Sequence, residues 1–127
     1  SISLSVVAVI GYTPDEGAAE WSDFAITDDL RLVTAPAAES VGFEIGPTGQ
    51  VRSLGARSGV LQSVTTVAAP GTPPVVYALP YFTEQVLRID VEGASMASVG
   101  TDFGFGGSKW YGGAHAGGAV WGLPFKK

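Results

Sequence analysis

Residues 109–125 read Lys109-Trp110-Tyr111-Gly112-Gly113-Ala114-His115-Ala116-Gly117-Gly118-Ala119-Val120-Trp121-Gly122-Leu123-Pro124-Phe125. Two short runs rich in aromatic and apolar residues flank a Gly-Gly turn, the pattern of two paired strands. Weaker copies of this pattern occur twice upstream, so the reading of these residues extends to most of the chain.

Stepping back from Pro124 by 44 lands on Pro80, and by 44 again on Pro36. Val120-Trp121-Gly122-Leu123-Pro124-Phe125 aligns with Val76-Tyr77-Ala78-Leu79-Pro80-Tyr81, and more faintly with Leu32-Val33-Thr34-Ala35-Pro36-Ala37. Downstream, Phe43-Glu44-Ile45 matches Leu87-Arg88-Ile89 at the same spacing. Val7…Ile10-Gly11, Val51…Leu54-Gly55 and Met96…Val99-Gly100 recur at steps of 44 and 45, and Trp21 reaches Trp110 through Thr65. Five families of positions share one register, which a chance proline match does not produce.

Each unit holds four apolar runs bounded by Gly, Pro, Ser and Asp, a strand signature. They are a (Trp21–Ile26, Val64–Ala69, Trp110–His115), b (Leu30–Pro36, Val75–Pro80, Ala119–Pro124), c (Ser40–Ile45, Gln85–Asp90) and d (Ser3–Ile10, Gln50–Leu54, Ser95–Val99). The chain is one domain over residues 1–127, with units at 1–20 (partial), 21–63, 64–109 and 110–127 (partial). Asp28-Asp29, Gly71-Thr72-Pro73-Pro74 and Gly117-Gly118 mark the a–b turns, while Gly46-Pro47-Thr48-Gly49 and Glu92-Gly93 mark the c–d turns. Thr13-Pro14-Asp15-Glu16 is a capping-box pattern that predicts one helical turn within Gly11–Glu20.

Lys109-Trp110-Tyr111-Gly112-Gly113 followed by Val120-Trp121-Gly122-Leu123-Pro124-Phe125 resembles the "KW-x-GG … IYGIPF" half-repeat of propeller-like proteins from algae and other protists. Gln85-Val86-Leu87-Arg88-Ile89-Asp90 is similar to the "VLxID" strand of that family. The resemblance covers most of residues 64–125 and is loose over 21–63. It implies a fold and no reaction. The expected fold is all-β, a partial β-propeller of about three four-stranded blade units, with a β-trefoil as the alternative.

Propellers typically close with about four to eight blades, and this chain carries fewer than three, with the c strand absent from its third unit. Ser3, Leu4, Ser5, Val6, Val7, Ala8, Val9 and Ile10 form an apolar, uncharged d strand whose natural neighbour is missing from the chain. Such an edge aggregates when left bare, so residues 3–10 are expected to pair with a second copy, a different chain or the rest of a longer parent protein. The start at Ser1 points the same way, to a processed or excised product.

Composition narrows the function classes. The chain has 46% apolar and 15% charged residues and a net charge of −5, with its basic residues scattered apart from Lys126-Lys127. A nucleic-acid interface is therefore not expected. No apolar run approaches the ~18 residues of a membrane-spanning helix. Cysteine is absent, so thiolate metal sites and disulfides are excluded and the compartment stays open. Asparagine is absent too, which removes N-glycosylation acceptors from these residues.

Chemistry has few places to reside. His115 is the single histidine and has no Ser or Asp fixed beside it by sequence, so a turn or surface role is its ordinary reading. Asp15, Glu16, Asp23, Asp28, Asp29, Asp90 and Asp102 allow a carboxylate pair arithmetically, but nearly all lie in turns, where Asp caps its own backbone. No metal-ligand spacing is present, and Gly100–Ser108 resembles a phosphate loop in glycine content alone. No cofactor is expected.

The aromatics are the most informative group. Trp110, Tyr111, Trp121 and Tyr77 sit at repeat-equivalent positions, where packing of one sheet on the next is the plain reading. Tyr81, Phe82, Phe103 and Phe105 fall in connections and are expected to be more exposed. With His115, Asp102 and Lys109 as polar neighbours, these residues form the candidate surface for a protein or a glycan. The expectation is a non-catalytic β-repeat module, a subunit or fragment of a larger protein assembly. A lectin-like carbohydrate-binding module is the alternative, and a hydrolase has the least residue support.

Overall fold

The structure is a computed structural model that describes residues 24–34, 41–56, 63–80, 84–104 and 109–124. These residues form ten strands and no helix: β1 (Phe24–Ile26), β2 (Leu32–Thr34), β3 (Val41–Ile45), β4 (Val51–Ala56), β5 (Ser63–Ala69), β6 (Val75–Pro80), β7 (Val86–Asp90), β8 (Ser95–Val99), β9 (Trp110–Ala116) and β10 (Ala119–Pro124). The protein is all-β. The strand expected over residues 3–10 and the helical turn expected within Gly11–Glu20 lie outside the described residues.

The strands assemble into three antiparallel sheets in strict chain order: β1-β2-β3-β4, β5-β6-β7-β8 and β9-β10. Among the described residues no sheet closes on itself. Every predicted a, b, c and d run from residue 24 onward therefore becomes a strand, and the 44-residue step of the sequence becomes the step from one sheet to the next. The boundaries are corrected at Leu30 and Arg31 before β2, Gln50 before β4 and Gln85 before β7, all of which were expected in strands; Leu30 is the largest departure. It was expected to open β2 but lies in the β1–β2 turn with φ 63, its backbone N–H donating to the Thr27 carbonyl at 2.9 Å.

A local irregularity also recurs at positions 44 residues apart. Pro80 pairs with Ser63 and Pro124 with Trp110, and each pairing is offset by one extra residue on the first strand of the sheet, Val64 in β5 and Tyr111 in β9. Proline brings no N–H to the ladder, so a bulge opposite it is the expected accommodation. The c–d turns match as well. Gly49 takes φ 89 in the first sheet, and Ala94 takes the left-handed conformation at φ 50 in the second.

Consecutive sheets pack face to face with equivalent strands opposed: β1 lies against β5, β5 and β6 against β9, and β4 against β8. The core fills the space between the first two sheets. Ala25, Val33 and Leu54 come from the first, Val76, Ala78, Leu87 and Ile89 from the second, and Val91 from the β7–β8 turn. Alternation along each strand sends these residues to one side, and each fully buried aliphatic side chain contributes about 1.5–3 kcal/mol. At the edge, the Asp28 carboxylate of one a–b turn accepts from the Gly71 N–H of the next at 2.7 Å.

Candidate functional site

Strand register decides what each face presents. Ala25–Val33–Glu44–Arg52 form one cross-strand row in the first sheet, and Ile26–Leu32–Ile45–Val51 form a row on its other side. In the second sheet the corresponding rows are Val67–Tyr77–Arg88–Ala97 and Ala68–Val76–Ile89–Met96. The latter row packs on the first sheet, and the former side turns toward the third.

A cleft of about 370 Å³ lies between the second and third sheets. Tyr77, Leu79, Val86, Phe103, His115 and Val120 are among its lining residues. Its origin is geometric. The two strands β9 and β10 stand opposite a four-stranded sheet, so Val67 and Leu79 are buried beneath β9 while Val86 and Val99 of β7 and β8 stay half-covered. Glycine permits the approach at the closed end. A Cβ on Gly113 would overlap the Leu79 Cδ1 methyl and lie 2.8 Å from the Trp121 carbonyl oxygen. Gly122 makes room likewise for the Trp110 ring, 2.7 Å from where its Cβ would be.

The structure brings three of the sequence-predicted site residues to this region. His115 faces the cleft from β9. Phe103 is 44% exposed on its rim, and Trp110 meets Phe103 edge to face with ring centroids 5.6 Å apart. The Trp110 indole N–H is buried without a hydrogen-bond partner among the described residues. Asp102 does not face His115 as a catalytic partner would; its carboxylate accepts the Gly104 N–H at 2.7 Å, closing its own turn. Among the described residues the cleft lining holds His115 and no carboxylate. Lys109 is half-buried just before β9, and Tyr111 is the β9 bulge residue. Tyr81, Phe82, Phe105 and the strand Ser3–Ile10 lie outside the described residues. No group of His, Asp and Glu suited to a metal ion occurs among those described, and they form no helix long and apolar enough to cross a membrane.

Trp121 corrects an expectation. Its position in the repeat pointed to sheet-on-sheet packing, yet it is 63% exposed on the far side of the third sheet, its indole donating to the Ala116 carbonyl at 2.9 Å. Leu123 beside it is 60% exposed. The cause is the absence of a further sheet over that side among the described residues. The first sheet ends the stack in the same condition at its other end, with Phe24 54%, Ile26 58% and Val51 47% exposed.

A second polar locus escaped the sequence reading. Glu44, buried in the middle of its row, receives Arg31 Nη1 at 3.0 Å and Arg52 Nε at 2.6 Å. Arg31 also meets Asp29 at 2.9 Å and Glu92 at 2.8 Å, while Arg52 donates to the Val91 and Glu92 carbonyls. Desolvation is the largest single influence on Arg31 and lowers its pKa, but the hydrogen bond to Glu92 with the charges of Asp29 and Glu44 raises it overall above the ordinary arginine value. Both guanidinium groups are engaged by carboxylates and carbonyls, so the network ties the first sheet to the β7–β8 turn and offers no free cation to an anionic ligand. Cross-strand pairing of Glu44 with Arg52 was the signal available in the sequence; the reach of Arg31 over 61 residues to Glu92 was not.

No protein-family model, curated protein or solved structure matches this chain.

Proposed function

We propose that the chain is a non-catalytic β-repeat module, part of a propeller-like array, that works by binding protein through its uncovered sheet faces. One observation carries this reading. In the row Ile26–Leu32–Ile45–Val51 of the first sheet, Ile26 and Val51 are exposed and Leu32 and Ile45 half-buried, whereas the same row in the second sheet, Ala68–Val76–Ile89–Met96, packs in the core. Exposed apolar area of this kind is the mark of an interaction surface. Four-stranded meanders stacked with equivalent strands opposed support the propeller-like arrangement over a trefoil. The pairing partner sought by residues 3–10 belongs to the same proposal. Sedimentation equilibrium at tens of micromolar tests it: species heavier than one 13.0 kDa chain are expected, and a folded, stable monomer would overturn the reading.

The cleft supports a second reading, a glycan held on Phe103 and Tyr77 with His115 as a polar contact. Its volume is that of a small-ligand site. A glycan array, followed by titration of tryptophan fluorescence with any hit, decides it; an array without a binder removes it.

A further inference from the structure

We infer that the open face of the third sheet and the open face of the first are the two halves of one interface, and that the occupant is a second copy of this chain bound head to tail. The inference rests on the protein-binding reading above and names its partner.

Packing between successive sheets is directional. Val33, Tyr77 and Trp121 hold one position in the three sheets, paired respectively with Ala25, Val67 and Ala114 on the preceding strand. Val33 is fully buried against the second sheet, Tyr77 is half-buried toward the third, and Trp121 stands open. Leu79 and Leu123 repeat the relation, the first buried beneath β9 and the second exposed. On the opposite side of each sheet, Leu32, Val76 and Val120 are equivalent. Val76 is buried on the first sheet, and Val120 faces the second across the cleft. The Val33 side of one sheet thus meets the Val76 side of the next, twice within the chain. A third application of the same step sets the Trp121 side of sheet three against the Ile26 side of a sheet one.

The chemistry of the two open sides agrees with this pairing. Gly112, Ala114, Trp121 and Leu123 occupy one, and Phe24, Ile26, Leu32 and Ile45 with Val51 occupy the other. Neither set contains a charged residue, whereas the internal row Ala25–Val33–Glu44–Arg52 has two. The surfaces differ from each other, so the contact is heterologous: each copy offers both halves, and association continues until a ring closes or a partner runs out.

Complementation tests the polarity. Ile26→Glu blocks the first-sheet end and Leu123→Glu the third-sheet end. Both residues are more than half exposed, so circular dichroism of each variant is expected to match the wild type. Val51→Glu, on β4, and Trp121→Glu, beside Leu123 on β10, probe the same two faces should either of the first pair fold poorly. In sedimentation velocity each blocked variant alone is expected to run as a single chain, and an equimolar mixture as one species with the mass of two chains. Two results overturn the inference while leaving the protein-binding reading intact. In one, blocked variants associate as the wild type does, which places the contact elsewhere; in the other, one variant dimerises alone and the mixture adds nothing, which makes the contact same-face. A wild-type chain that is monomeric at these concentrations instead removes the reading on which the inference stands.

Discussion

Between the first and second sheets, Val33, Leu54, Val76 and Ile89 lose all contact with solvent, and a buried carboxylate finds two guanidinium partners. Between the second and third, contact runs through Gly113 against Val67 and Leu79, and a cleft remains beside it. The two interfaces use strands in the same order and positions 44 residues apart in the sequence. What separates them is how many strands face how many: four against four fills the space, while two against four covers β5 and β6 and leaves β7 and β8 half-bare. Among the described residues the outer faces extend the series to zero strands, where Ile26 and Trp121 stand exposed. Burial in this molecule is set by the company a sheet keeps and not by the hydrophobicity of its residues.

The largest test of this contrast is Ile89→Ala, which opens a cavity in the filled interface and is expected to cost about 2–5 kcal/mol in urea unfolding. A loss below about 1 kcal/mol would mean that the first interface packs no better than the second. Gly113→Ala drives a methyl into Leu79 and a strand carbonyl and is expected to cost about 1–3 kcal/mol, with a change in tryptophan emission because Trp110 sits on β9. Glu44→Gln strips the charge from the network joining the first sheet to the β7–β8 turn. Both arginines retain solvent and other partners, so the expected loss is about 1–2 kcal/mol by the same measurement. Smallest is Leu123→Ser, expected to move the unfolding free energy of the isolated chain by no more than about 0.5 kcal/mol. A larger loss would show that the third sheet's outer face is already covered.

Strand identity was legible because alternating apolar residues between Gly and Pro punctuation specify strands locally, and the 44-residue period announced that the strands come in equivalent sets. Pro80 and Pro124 recurred visibly, and the bulges opposite them follow from the missing N–H. The candidate site was less legible. His115 and Phe103 fall in one candidate surface by residue type alone, and their meeting across a cleft depends on how far β9 lies from β7 and β8. The position of Trp121 in the 44-residue pattern predicts packing, and its exposure reflects a neighbour that a linear pattern does not count.

The amino-acid order was enough to set which segments are strands, which residues share a side and where the turns fall, since all three depend on interactions within a few residues or across one hairpin. Tertiary packing alone settled which side of each sheet became core, which stayed open, and that Arg31 would join Glu44 to Glu92. Those outcomes arise when whole sheets meet, and the free energy of burial is a property of the pair of surfaces in contact rather than of either one alone.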